Sequence, residues 1–180
     1  RFKPELYQKP ACTYPEGNTP DAILVGDSNA KHYLGALRIF ADQYNFTFQN
    51  LTQSSCSLIL DEKPLPWVQA KYAKGCTDYL DFLAPRLGNY NTVIIGGSWT
   101  DYDQHPMPIG TPVNDTFRSR FEQTIQQLST SGKHVIILGK IPFFTNYNPH
   151  CLTRQIQMPW LHCEQRYSAV ITDPPINQFM

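Results

Sequence analysis

Three short apolar runs, each closed by a glycine, constrain this chain more than any other feature. Ala22-Ile23-Leu24-Val25 ends at Gly26, Thr92-Val93-Ile94-Ile95 at Gly96, and His134-Val135-Ile136-Ile137-Leu138 at Gly139. The first two read as strands buried on both faces, of the kind found in parallel sheets covered by helices, and the third as a further strand. Helical spacing lies between them. Leu34, Leu37, Ile39, Phe40 and Tyr44 share a broad face over 30–44, and Val68, Tyr72, Tyr79, Leu80, Phe82 and Leu83 mark a helical region from Trp67 to Leu87. A further helix, capped by Asn114 or Asp115, is expected to run to about Ser131. Phe46 to Leu51 alternates as a strand does, and Tyr167 to Thr172 reads as a last strand before Asp173-Pro174-Pro175. Residues 1–20 and 142–163 read as irregular. Strands alternating with helices predict a three-layer α/β/α sandwich around a mainly parallel sheet, with residues 1–180 forming a single domain.

Composition narrows the partners. Hydrophobic residues make up 41% and charged residues 17% of the 180, a globular balance. Lys+Arg and Asp+Glu are both 15, so the formal net charge is zero. Phosphate backbones attract a basic surplus, so nucleic acid is not the expected partner; neutral glycans and esters fit better. No apolar run approaches the roughly 18 residues that cross a bilayer.

The five cysteines, Cys12, Cys56, Cys76, Cys151 and Cys163, include no CxxC pair, which argues against a zinc ribbon, and no metal site is expected. Their spread suits disulfides in an oxidising compartment. The expected pairs are Cys56 with Cys76 and Cys151 with Cys163, leaving Cys12 to a partner further along the parent chain.

The chemistry concentrates at strand ends, because ligands of parallel α/β sheets bind beyond the carboxyl ends of the strands. Ser28 follows the first buried strand and precedes a helix, which exposes its hydroxyl and sets its backbone N–H at a helix start. Such an N–H can serve a developing oxyanion. Gly26 permits the tight turn, and Asp27 can hold it by bonding neighbouring backbone groups. The competing reading makes Ser28 a helix N-cap and nothing more. Asn29, Ser54, Ser98 and Trp99 lie at or near the ends of three strands, those over 22–25, 46–51 and 92–95, and complete the candidate cleft with Asp27. Trp99 suits stacking on a sugar face as well as it suits packing, whereas Trp67 and Trp160 read as packing residues.

The block Ile23-Leu24-Val25-Gly26-Asp27-Ser28-Asn29-Ala30 resembles the first sequence block of the SGNH (GDSL-like) hydrolases. Asn50-Leu51-Thr52-Gln53-Ser54-Ser55-Cys56, then Cys76, then Thr92 to Tyr102 with Gly96-Gly97-Ser98-Trp99, follow in order. This set is similar to the SGNH domain fused to membrane acyltransferases of the acyltransferase 3 family. The resemblance implies the SGNH fold with its flavodoxin-like sheet, and Ser28 as nucleophile. It implies an acyl donor, acetyl above all, delivered by a transmembrane domain N-terminal to residue 1. No bound cofactor is implied. The acceptor would be a cell-surface glycan, and the domain would lie on the periplasmic or extracellular side of a membrane protein.

Two positions depart from the general SGNH pattern. Residues 50–56 contain no Gly where the second block usually supplies an oxyanion donor, and Ser98 stands where the third block usually carries Asn. The base is missing too. None of the five His (His32, His105, His134, His150 and His162) stands in the Asp-x-x-His that the family carries near its C-terminus, so the sequence is expected to stop short of that block. Of these His, His32 and His105 are the candidates for a substitute base. A free-standing carbohydrate acetylesterase and a catalytically inactive glycan-binding module are the alternatives to acyl transfer.

Overall fold

The computed structural model describes residues 2–60, 65–99 and 115–139, with single positions at 156, 158 and 160. Among the described residues five strands form one sheet: β1 (Thr13–Tyr14), β2 (Ala22–Gly26), β3 (Phe48–Asn50), β4 (Thr92–Gly96) and β5 (His134–Leu138). Their spatial order is β1-β3-β2-β4-β5. β3, β2, β4 and β5 run parallel, and β1 pairs antiparallel with β3 as an edge. The three glycine-terminated runs are thus the neighbouring strands β2, β4 and β5, as expected. β2 and β4 are buried almost throughout.

The alternation of side chains across the pleat divides the core into two layers. Ile23, Val25, Val93 and Ile95 meet the helices α3 (Ala70–Leu83) and α4 (Asp115–Thr130) on one face, through Tyr79, Leu80, Leu83, Phe117, Phe121 and Leu128. Leu24, Ile94 and Phe48 meet the opposite layer, formed by α1 (Ser28–Lys31) and α2 (Leu34–Tyr44), through Ala30, Leu37 and Ala41. The order places β2 between β3 and β4, so the chain leaves β2 to one side and returns on the other. That reversal is the switch point at which open α/β sheets bind ligands.

Several expectations need correction. The helix read as continuous over 30–44 is two: α1 makes one turn, His32 and Tyr33 form a break, and α2 begins at Leu34. The break resets the helical register. Leu37 and Ala41 face the sheet, while Ile39, Phe40 and Tyr44, read as core, are 66%, 48% and 66% exposed. Tyr72 is likewise exposed, with Lys71 over its ring. The helical region from Trp67 to Leu87 is α3 followed by a 3-10 segment, Ala84–Asn89, in which Pro85 cannot supply the next helical N–H. The lead-in contributes the edge strand β1 and buries Phe2 against Tyr7, Tyr79 and Phe82. Trp67 packs as expected, but Trp160 is 74% exposed. The expected strand at Tyr167 to Thr172 and the irregular segment 142–163 lie outside the described residues, apart from the three single positions.

Two glycines decide how closely these layers approach. Gly26 adopts φ +119, a region L side chains rarely enter, and a Cβ there would lie 1.7 Å from the Gly96 carbonyl oxygen. A Cβ on Gly96 would meet the Cα and Cβ of Ala30 at 2.9 Å. The paired glycines Gly26 and Gly96 therefore let α1 seat directly on the ends of β2 and β4. Gly26→Ala combines backbone strain with a clash against backbone, and it is expected to lower unfolding free energy by about 3 kcal/mol or more in urea titration.

Candidate functional site

Ser28 is the first residue of α1 and is exposed, directly after the fully buried end of β2. The N-cap is Asp27, not Ser28. Asp27 Oδ1 accepts from the backbone N–H of Asn29 at 2.6 Å and from Asn29 Nδ2 at 3.3 Å. Capping by the preceding residue leaves the Ser28 hydroxyl free of that task, and among the described residues it has no hydrogen-bond partner. The reading of Ser28 as a mere cap therefore fails on geometry.

Asp27 does more than cap. It is 2% exposed, and its Oδ2 accepts from the backbone N–H of Ser98 at 2.8 Å. One buried carboxyl group thus joins the turn after β2 to the turn after β4. Charge-assisted hydrogen bonds of this kind are stronger than neutral ones and fix their partners more tightly. Ser98 sits where the third block's Asn was expected, and its N–H is committed to Asp27. It is 6% exposed, and Gly97 beside it lies against the Trp99 ring.

Trp99 is fully buried. Its indole Nε1 donates to the Leu138 carbonyl at 2.7 Å, and its ring packs on Phe117 and Phe121. Of its two readings, packing is the one the fold realises, because a ring with no exposed face cannot stack on a sugar. Instead it ties the third strand end to the end of β5. Tyr33, in the break between α1 and α2, does the same from the other layer through its hydroxyl and the Gly139 carbonyl at 2.7 Å.

The second strand end forms a tight turn. The Cys56 N–H bonds to the Gln53 carbonyl at 3.2 Å, closing Gln53-Ser54-Ser55-Cys56, and Ser55 has φ +60. This left-handed conformation is one that glycine usually supplies and that costs other residues about 1 kcal/mol or more. The loop lacks the glycine residue and still takes a glycine-like backbone. The Gln53 N–H bonds to the Gly26 carbonyl at 2.8 Å, which draws the turn against the end of β2. Ser54 is exposed at its tip, and among the described residues the backbone N–H groups of Ser54 and Ser55 find no acceptor.

Three constraints hold the turn from behind. Cys56 and Cys76 form the expected disulfide, fastening the turn to α3. The buried Tyr79 hydroxyl donates to the Leu51 carbonyl at 2.6 Å. Tyr7 reaches the Thr52 carbonyl from the lead-in. Cys12 is free and half-buried among the described residues; Cys151 and Cys163 lie outside them. His32 is exposed at the C-terminal cap of α1, and His134 is exposed at the start of β5. Neither is hydrogen-bonded to Ser28, and His105, His150 and His162 lie outside the described residues. No group of His, Cys, Asp and Glu among the described residues is arranged to hold a metal.

The structure thus brings Asp27, Ser28, Asn29, Ser54 and Ser98 to one edge of the sheet and moves Trp99 into the core. Sequence reasoning missed the contributions of Tyr7 and Tyr79. Tyr79 carried a signal, as an apolar position of α3. Tyr7 carried none, lying in a stretch without periodicity.

A family model described as the SGNH domain fused to AT3 domains matches residues 1–174. No individual curated protein matches the sequence.

Two outcomes test this geometry. Asp27→Ala leaves two backbone N–H groups without their acceptor and is expected to cost about 3 kcal/mol of stability by chemical denaturation. Burial pushes the Tyr79 phenol well above its ordinary value of 10, while the unfolded phenol ionises near that value. Its contribution is therefore complete below pH 10 and is lost as the pH rises toward its native pKa. Tyr79→Phe is expected to flatten the alkaline arm of a stability–pH profile above pH 10.

Proposed function

The chain belongs to the family of SGNH domains fused to AT3 domains, and on that premise we propose that it is the O-acyltransferase module of a membrane protein. In this reading it carries an acyl group, acetyl above all, on Ser28 to a hydroxyl of a cell-surface glycan. The observation that carries the proposal is the exposed Ser28 at the switch point, seated on a turn that buried Asp27 locks to the end of β4. A nucleophile held this rigidly, with its hydroxyl uncommitted, is prepared for acyl transfer.

The Ser28 oxygen attacks the donor's acyl carbonyl and gives up its proton to a base. The tetrahedral oxyanion collapses, the carbonyl re-forms, and the leaving group departs with a proton. A glycan hydroxyl then attacks the Ser28 ester, yielding the glycan ester and restoring the Ser28 hydroxyl. Free backbone N–H groups suit the oxyanion: that of Ser28, at the start of α1, and those of Ser54 and Ser55 on the neighbouring turn. The Ser98 N–H is excluded because Asp27 holds it. In this reading the base is the histidine of the Asp-x-x-His block that the resemblance implies, which none of the five His of this sequence forms.

The fusion partner favours transfer over simple hydrolysis. A membrane domain of the acyltransferase class is a source of activated acyl groups, which a free-standing esterase does not need. No helix among the described residues is long and apolar enough to cross a membrane, which suits a module working beside such a domain. The Cys56–Cys76 disulfide supports placement on the periplasmic or extracellular side, where thiols oxidise. The zero formal charge suits a neutral glycan acceptor.

The test is the full-length protein carrying Ser28→Ala, expressed in cells lacking the native copy. Surface-glycan acylation, read by mass spectrometry, is expected to fall at least about a hundredfold while protein level is kept. Acylation retained at the unsubstituted level would remove Ser28 from the mechanism.

A further inference from the structure

The lead-in segment, ahead of the first parallel strand, reaches the candidate site through one side chain. The Tyr7 hydroxyl donates to Gln53 Oε1 at 2.6 Å, with the Thr52 carbonyl as a second acceptor at 3.1 Å. Gln53 is the residue whose backbone N–H bonds to the Gly26 carbonyl, two positions before Ser28. A single relay therefore runs from the lead-in through Gln53 to the nucleophile strand.

Tyr7 is well placed to act as a fixed point. Its own carbonyl accepts from Gln49 Nε2 at 3.1 Å, in β3. Its ring packs among Phe2, Tyr79 and Phe82, with centroids 5.4, 6.3 and 6.0 Å away. Burial raises the phenol above its ordinary range, so it remains a hydrogen-bond donor. The three successive carbonyls of the second strand end are thereby all occupied: Leu51 by Tyr79, Thr52 by Tyr7, and Gln53 by the Cys56 amide. With these carbonyls turned toward the core-side donors, the amides of Ser54 and Ser55 are left at the exposed tip.

We infer that Tyr7 is a positioning residue: it straps the lead-in to the Thr52–Gln53 turn and so sets the geometry of that turn beside Ser28. This inference rests on the acyl-transfer reading for its chemical consequence, whereas the strap itself is a matter of structure. Tyr7→Phe removes the hydroxyl and keeps the ring, so the aromatic cluster and the fold are retained.

The experiment uses the full-length protein in detergent, with p-nitrophenyl acetate as the acyl donor. Three variants are compared with the unsubstituted protein: Tyr7→Phe, Ser28→Ala, and Tyr14→Phe, which removes a lead-in phenol that among the described residues bonds only Asp42. Amide hydrogen exchange over 51–56 and the kcat and KM of p-nitrophenol release are measured. Tyr7→Phe is expected to raise exchange over 51–56 roughly tenfold and to lower kcat roughly tenfold with KM unchanged. Exchange over 92–96 should stay as it was, and Tyr14→Phe should change neither readout. Unchanged exchange over 51–56 overturns the strap. Faster exchange with unchanged kcat overturns its role in positioning. Release that is equal in the unsubstituted protein and Ser28→Ala overturns the acyl-transfer reading, and the positioning role falls with it; the exchange data identify which of the two claims has failed.

Discussion

The buried carboxyl group of Asp27 is the interaction on which the candidate site depends. It sits between two strand ends that are distant in sequence and adjacent in the sheet, and it satisfies one backbone N–H from each. A backbone N–H buried without an acceptor is costly, so the two turns are stable only in the arrangement that shares this group. The same arrangement spares Ser28 from capping α1. The local stability of the helix start and the uncommitted state of the Ser28 hydroxyl thus have one cause.

Close approach makes that contact possible. Gly26 and Gly96 are register partners in β2 and β4, and neither site has room for a Cβ. Their lack of side chains lets Ala30 of α1 rest on the sheet and brings the Asp27 carboxyl within 2.8 Å of the Ser98 amide. Around this centre the aromatic residues act as ties rather than as ligand platforms. Trp99 reaches β5, Tyr79 reaches the end of β3, and Tyr33 reaches Gly139. Each hydroxyl or indole N–H meets a main-chain carbonyl at a strand end, so the sheet edge is fixed by side chains from both layers.

The turn after β3 follows a different logic. It has no glycine, yet Ser55 takes a left-handed backbone. That strain persists because the surroundings over-determine it: a disulfide at Cys56, a ladder-like bond from Gln53 to Gly26, and phenols behind Leu51 and Thr52. A departure from the family pattern at the level of residue type is offset here at the level of backbone conformation.

The strands β2, β4 and β5, the parallel sheet, the position of Ser28 and the Cys56–Cys76 pair were all legible in the sequence. For the strands, the sheet and Ser28 the reason is short-range pattern: continuous apolar runs, each closed by a glycine. Helix facing was not legible. The break at His32-Tyr33 rotates α2, so Ile39, Phe40 and Tyr44 turn outward and Ala41 inward; apolar residues at near-helical spacing fit either rotation until the sheet selects one. Nor could the sequence assign Trp99 to the core, because a strand-end aromatic suits cleft and core equally until α4 covers it. Tyr7 was beyond reach altogether, since its partners lie more than 40 residues away and no periodicity announces them. The sequence by itself determined which strands form the sheet and which candidate residues stand at their ends. The tertiary structure alone decided which of those residues remain exposed, because exposure is settled by which distant elements pack against a strand end.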